Sequence, residues 1–237
     1  MRCTYASYSD IGGRKNNEDS FAEVKSGRGY LFVVADGLGG HGKGELASGI
    51  AIKDLKRHFC SKKPFDLKEA IQEANRHILE EQNNIGIKMK TTISVVWIEK
   101  EKTHFAHVGD SRTYAFLEQG IVYQSVDHSV SQMAVAAGEI TLSEIRNHED
   151  RNRLTRALGV SEVLSIDMSE LPNEQYDRLL LCSDGFWEYV LEEEMCKTRK
   201  HFQTPKAWLK RMRKILRKRI PEKNDNNTAI AVIKRGV

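Results

Sequence analysis

The chain is poor in the features that place a protein quickly. Its four cysteines, Cys3, Cys60, Cys182 and Cys196, are scattered over 237 residues without a C-x-x-C pair. That excludes a zinc ribbon or a disulfide-stapled scaffold and fits a reducing compartment. Proline occurs only four times, and no low-complexity tract, internal repeat or Gly/Ser-rich linker interrupts the sequence. Nothing divides it, so one domain over 1–237 is expected. No apolar run approaches the roughly 20 residues of a membrane span, and the opening MRCTYASYSD lacks the apolar core of a secretion signal. Neither sign of charge dominates: 37 Lys and Arg face 33 Asp and Glu, leaving +4, with the excess mostly between Lys197 and Lys223. Global nucleic-acid binding is not implied. The expectation is a cytoplasmic protein with no membrane or nucleic-acid partner.

What is present is a chain with 40% hydrophobic residues, enough for a substantial core. Tyr5 to Ser9, Ser20 to Val24 and Tyr30 to Ala35 read as strands, rich in aromatic and β-branched residues and bounded by glycines. Ala47, Ile50, Ala51, Leu55 and Phe59 recur at helical spacing within Gly44 to Phe59. DLKEAIQEANRHILEE repeats that spacing behind an Asp66 cap. A second strand group follows in TTISVVWIEK, THFAHVGD, SRTYAFLEQ and GIVYQ, with hairpin-length breaks that predict antiparallel neighbours. Helical patterns return near Ser129 to Ala137 and Leu142 to His148. Strands are predicted at Val163 to Ser169 and Arg178 to Ser183, a basic helix over Pro205 to Arg219, and a closing strand in TAIAVIKR. Grouped strands with grouped helices indicate α+β.

One local pattern recurs. LFVVADGLGG and LLLCSDGFWE both run apolar residues into Asp-Gly, FAHVGDSR places Gly109 and Asp110 at a strand end, and Asp225 directly precedes the last strand. Taken singly, each Asp-Gly is an ordinary turn, because Asp bonds its own backbone and Gly accepts positive φ. Four carboxylates at strand ends are harder to dismiss. Converging aspartates repel and raise one another's pKa unless something neutralises them, and divalent cations do this well. All-oxygen ligation suits Mg2+ or Mn2+, whereas the lack of a Cys/His cluster disfavours zinc. In GGRKNNEDSF, Arg14 is a planar donor suited to phosphate, and Glu18 and Asp19 could hold metal-bound waters. In isolation the same stretch is a solvated polar loop.

Together these residues resemble the type 2C family of metal-dependent serine/threonine protein phosphatases in its compact bacterial form. The likeness runs almost end to end and in the family's order, through RKNNEDS, VVADGLGGHGKGELAS, TTISVV, HVGDSR, DHSVSQMAVAAGEIT, RNRLTRALG, DRLLLCSDGFWEYV and DNNTAIAV. It implies a four-layer α-β-β-α sandwich of two antiparallel sheets flanked by helices, with a binuclear metal site at one end. By resemblance, Asp36 bridges two ions, the Gly37 carbonyl ligates one, and Asp184 and Asp225 ligate the other. Asp110 with Asp184 matches the place of a weaker third ion, Arg14 matches the phosphate-binding arginine, and Glu18 and Asp19 match an acidic pair acting mainly through water. The implied reaction is direct hydrolysis of phosphoserine or phosphothreonine on a protein by a metal-activated water, without a phosphoenzyme. A monomer working against a Ser/Thr kinase is implied as well. Two alternatives stay open: a catalytically silent phosphoprotein-binding module of the same fold, and a phosphatase dedicated to one regulatory protein such as an anti-sigma antagonist.

The chain also departs from the pattern. Many relatives carry a histidine directly after the Asp-Gly pair, read as general acid; here that place is Leu38, and His41 is the nearest candidate. Lys90 stands where relatives usually have glycine before the paired threonines. ITLSEIRNHEDRNR, from about Ile140 to Arg153, overlaps the family's flap. The basic stretch AWLKRMRKILRKR carries one apolar face, Trp208, Leu209, Met212, Ile215 and Leu216, which reads as an outer helix closing the sandwich. Its charge leaves room for an acidic partner. Phe186, Trp187 and Tyr189 read as core.

Overall fold

The computed structural model describes residues 2–39 and 43–235, and shows the α+β sandwich that the family resemblance implies. Strands β1 (Arg2–Asp10), β2 (Asp19–Ser26) and β3 (Gly29–Leu38) lead into helices α1 (Gly44–Cys60) and α2 (Leu67–Ile85). Then come β4 (Lys90–Thr91), β5 (Ile93–Ile98), β6 (Lys102–Val108), β7 (Arg112–Leu117), β8 (Gly120–Gln124) and α3 (Val130–Ala136). The chain closes with β9 (Asp167–Pro172), β10 (Arg178–Cys182), α4 (Asp184–Trp187), α5 (Glu192–His201), α6 (Pro205–Leu216) and β11 (Asn227–Arg235). One sheet has the order β1-β11-β10-β7-β8; the other has β2-β3-β5-β6-β9, with β4 added to β3. Neighbours in both are antiparallel.

Three apolar layers follow from strand alternation, since successive side chains point to opposite faces. On β3, Tyr30, Phe32 and Val34 point between the sheets, where they meet Val96, Phe105, Leu179, Leu181 and Ile230. The intervening Leu31, Val33 and Ala35 face α1 and α2, packing on Ala51, Leu55, Ile71 and Ile78. On the opposite outer face, Leu180, Cys182 and Ala231 meet Trp208, Leu209, Met212 and Leu216 of α6. α6 is therefore the outer helix its apolar face predicts, and Phe186 and Trp187 lie in the same core. Asp66 caps α2 by accepting from the Glu69 amide at 3.0 Å.

Some boundaries differ from expectation. β9 is Asp167–Pro172 rather than Val163 to Ser169, because it pairs with β6 only from Asp167 opposite His107 onward. Val163 is instead 88% exposed, in a loop. Leu142–Asn147 is a 3-10 turn rather than an α-helix. Helix α5 has no counterpart in the sequence reading, since Met195 is its one buried apolar side chain. It starts with three glutamates and ends in Arg199, Lys200 and His201, which suits the helix dipole.

The fold places the sequence's candidate carboxylates at one end. Asp36 lies near the end of β3, and Asp110 and Asp184 each sit two residues past β6 and β10. Asp225 sits two residues before β11, and Asp19 begins β2.

Candidate metal centre

The β2–β3 register sets Asp19 directly opposite Asp36. Like charges across an antiparallel pair are destabilising, so this pairing calls for a compensating charge. The backbone around Asp36 is held firmly. Its amide donates to Thr92 Oγ1 at 3.0 Å, and its carbonyl accepts from the Thr92 amide and from Thr91 Oγ1, both at 2.8 Å. The paired threonines are thus the clamp on the aspartate backbone. The next residue must be glycine: a Cβ on Gly37 would lie 2.1 Å from the Gly44 carbonyl oxygen and 2.7 Å from that of Glu18. The start of α1 passes that closely because Glu18 ties it down, its Oε1 accepting from the Gly44 amide at 3.1 Å and its carbonyl from Ser48 Oγ at 2.6 Å.

The second sheet delivers the other carboxylates. The Ser183 amide donates to the Thr228 carbonyl at 3.1 Å, so Asp184 leaves β10 beside the point where Asp225 enters β11. Ser183 Oγ donates to Asp19 Oδ2 at 2.8 Å and stitches the two sheets together beneath the site. Asp110 follows Gly109, whose φ of +105° and missing Cβ allow the turn against Thr92. A cleft of about 610 Å³ opens over this end, bordered by Arg14, Glu18, Asp36, Gly37, Asp184 and Asp225, with Lys90 and Leu38 also on its wall. Lys90 pairs with Leu38 in the β3–β4 ladder. Arg14 stands at the rim, 57% exposed, donating Nε and Nη2 to the two Asp225 oxygens at 2.9 and 2.6 Å. His41 lies outside the described residues.

Electrostatically the site is a concentration of unneutralised acid. Burial, then the charges of Asp19, Asp184, Asp110 and Asp225, push the Asp36 carboxyl well above the usual carboxylate range. Burial, then Glu188 and Asp225, push Asp184 up to about 7. Asp19 is pushed up to about 6 by burial, against hydrogen bonds from Thr228 and Ser183, and Asp110 is raised by burial and by Asp184 and Asp127. Asp184 Oδ1 and Asp19 Oδ1 are buried without a hydrogen-bond partner among the described residues. An all-oxygen donor set with orphaned anionic oxygens fits a hard divalent cation.

A second group offers ligand atoms within 4.8 Å of one another: His107, His128 and Asp167. It does not suit a metal. His128 Nδ1 accepts from the Gly109 amide at 3.1 Å, so the proton of this neutral, burial-depressed imidazole sits on Nε2, 3.2 Å from Asp167. His107 Nε2 donates to the Val126 carbonyl at 2.7 Å, and Arg156 reaches Asp167 at 2.7 Å, adding a cation of its own. The group ties β9 to the loop carrying Asp110.

Sequence reasoning missed three contributors. Asn226 accepts from the Glu18 amide at 2.8 Å and donates to the carbonyls of Ile11 and Asn16 at 2.8 and 3.0 Å, fixing the Arg14 loop beside Asp225. Glu188, one helical turn beyond Asp184, adds a further, partly buried carboxylate and pairs with Arg151 at 2.9 Å. Trp187 Nε1 donates to the Asp110 carbonyl at 2.9 Å. The first asparagine of DNNTAIAV and the Glu four residues after Asp184 were the available signals.

Comparison with known proteins shows the family and the fold. Residues 8–228 match the family model described as Protein phosphatase 2C. The serine/threonine phosphatase stp of Listeria welshimeri is 33% identical over 193 residues, 77% of this chain and 77% of that protein. The crystal structure of serine/threonine phosphatase Stp1 from Staphylococcus aureus superposes with a TM-score of 0.91 at 27% identity, covering 100% of this chain and 96% of that one. The catalytic domain of the phosphatase PstP, solved with two manganese ions, gives a TM-score of 0.81 at 28% identity, covering 98% and 97%.

Proposed function

We propose roles for the residues of this site from one premise: the chain belongs to the protein phosphatase 2C family, metal-dependent enzymes, and is a protein serine/threonine phosphatase. Its substrates are phosphorylated proteins. The observation that carries the assignment is the convergence of Asp36 with Asp19, Asp110, Asp184 and Asp225, delivered by both sheets to one end of the sandwich.

Two ions, Mn2+ or Mg2+, would be held by the carboxylates of Asp36, Asp184 and Asp225 and the carbonyl of Gly37. Asp110 and Asp184 would hold a weaker third. When bound, the ions supply Lewis-acid charge and a water acidic enough to act as nucleophile near neutral pH. Glu18 and Asp19 orient waters at the cluster, Glu18 from the start of α1 and Asp19 from beneath. Arg14 binds the phosphate: it stands at the cleft mouth with Nη1 unbonded among the described residues, and its planar fork matches phosphate oxygens as it matches Asp225. Leu38 has no proton to give a leaving alkoxide, so the general acid lies elsewhere; His41 is the side-chain candidate.

We further propose a monomeric single domain over 1–237, cytoplasmic and opposed by a Ser/Thr kinase, with no membrane or nucleic-acid partner. Pairing of β1 with β11 joins the two ends of the chain in one sheet, which supports the single domain. No helix among the described residues is long and apolar enough to cross a membrane. The complete carboxylate set disfavours a silent binding module. Calorimetric titration with Mn2+ tests the ligand roles: wild type should show two sites, Asp110→Ala should keep both, and Asp36→Asn should lose them. Wild-type-like binding by Asp36→Asn would refute the assignment.

A further inference from the structure

Away from the metal centre, a groove of about 760 Å³ runs between α6 and Ala6, Ser7 and Tyr8 of β1. β1 is an edge strand, paired only with β11 in its sheet. Three lysines of α6, Lys206, Lys210 and Lys214, and Lys218 in the turn that follows it, line this groove at four-residue intervals. All four are exposed, and none forms an ion pair with the described residues. By contrast, neighbouring Arg213 is engaged: it pairs with Asp10 and lies 4.5 Å from the centre of the Tyr8 ring. The groove thus has one wall of uncompensated positive charge and another carrying apolar Ala6 and the Tyr8 ring.

We propose that this groove docks an extended acidic segment of a partner protein, with Asp or Glu at alternate positions. Lysines four residues apart on a helix are separated by about 6 Å along its axis. Alternate residues of an extended strand are about 6.6–6.8 Å apart, so successive carboxylates meet successive lysines. The intervening side chains then face Ala6 and Tyr8 across the groove. A lipid surface fits less well. Trp208, Leu209, Met212 and Leu216, the apolar face that an interfacial helix would bury in a bilayer, are already buried against the sheet. The docking does not depend on the metal-site assignments.

The test is fluorescence anisotropy of a labelled nine-residue peptide alternating Glu and Val, beside its Gln-for-Glu counterpart, on the full-length protein. The Glu peptide should bind with an affinity that falls as salt rises, and the Gln peptide should not bind. Lys210→Glu/Lys214→Glu should weaken binding by about tenfold, and Lys206→Glu/Lys218→Glu should do the same. Both variants should keep the wild-type melting temperature and aryl phosphate turnover. Equal binding of both peptides, or unchanged binding by both folded variants, would overturn the proposal. So would binding to phosphatidylserine vesicles or single-stranded DNA with none to the Glu peptide.

Discussion

Replacing Arg112 with methionine removes the centre of a buried polar network that reaches Asp110 of the candidate metal centre. The Arg112 side chain is 1% exposed and the Asp127 side chain 2%, and they form a bidentate pair at 2.8 and 2.6 Å. The guanidinium carbon lies 3.5 Å from the centre of the Trp187 ring, and Trp187 holds the Asp110 carbonyl. Without Arg112, the Asp127 carboxylate is left buried and uncompensated, a defect of about 3–5 kcal/mol. That is a large part of the ~5–15 kcal/mol that keeps a domain folded. At an m of about 3 kcal/mol/M, the urea midpoint should fall by roughly 1–1.7 M. Arg112→Met/Asp127→Leu, which removes both charges and keeps volume, should recover most of the loss, because an apolar pair can replace a buried ion pair at little cost. Urea unfolding of the two single variants and the double gives the coupling directly. Turnover of Arg112→Met should fall about tenfold as Trp187 loosens from Asp110. Single-variant costs near zero, or additive effects in the cycle, would refute this reasoning.

Lys234 makes a pH-dependent prediction. Burial pushes its ammonium down from 10.5 to about 8 although it donates to the Asn173 carbonyl and sits 3.3 Å from the centre of the Tyr176 ring. Between those values the unfolded chain binds more protons than the folded one, so this group's destabilising effect is complete below pH 8 and fades as pH rises toward 10.5. Lys234→Met should therefore gain stability relative to wild type at pH 7, by up to about 3 kcal/mol, and lose that advantage above pH 10. A gain that does not vary with pH would contradict it; denaturant melts across pH decide. Arg14→Ala should raise the Michaelis constant for aryl phosphate about 10- to 100-fold, the loss of a charge-assisted phosphate contact, with Mn2+ stoichiometry unchanged. Steady-state kinetics beside metal titration checks it, and an unaltered Michaelis constant would remove Arg14 from the phosphate site.

The layers and the carboxylate end were readable because each has a local signature. Alternation in LFVVAD sends Leu31, Val33 and Ala35 to one core and Phe32 and Val34 to another. Aspartates that stop apolar strands at Asp36 and Asp184, with Asp110 and Asp225 at the ends of two more, were visible as a recurrence, and the fold groups them. What was not readable depends on partners distant in the chain. Nothing near Asp19 in sequence says that it faces Asp36, because that follows from the β2–β3 register. α5 has no apolar stripe; part of its hold comes from Arg199, which donates to Asp177 at 3.1 Å and to the Glu118 carbonyl at 3.1 Å. β9 is displaced toward its ladder with β6, since edge pairing rather than apolar content sets its start. Leu164 and Ile166 instead pack on the α1–α2 core from a loop.

The central claim is that the strand-end carboxylate at Asp36 organises cations for phosphate-ester hydrolysis. The direct measurement is phosphate release from a phosphothreonine peptide by wild type and by Asp36→Asn, with about millimolar Mn2+ and with chelator, at matched melting temperature. Asn keeps the size but loses the charge and one anionic oxygen. The account predicts Mn2+-dependent release by wild type that chelator stops, and none above background by Asp36→Asn. Release by the variant at the wild-type rate, or release that chelator leaves untouched, would contradict it.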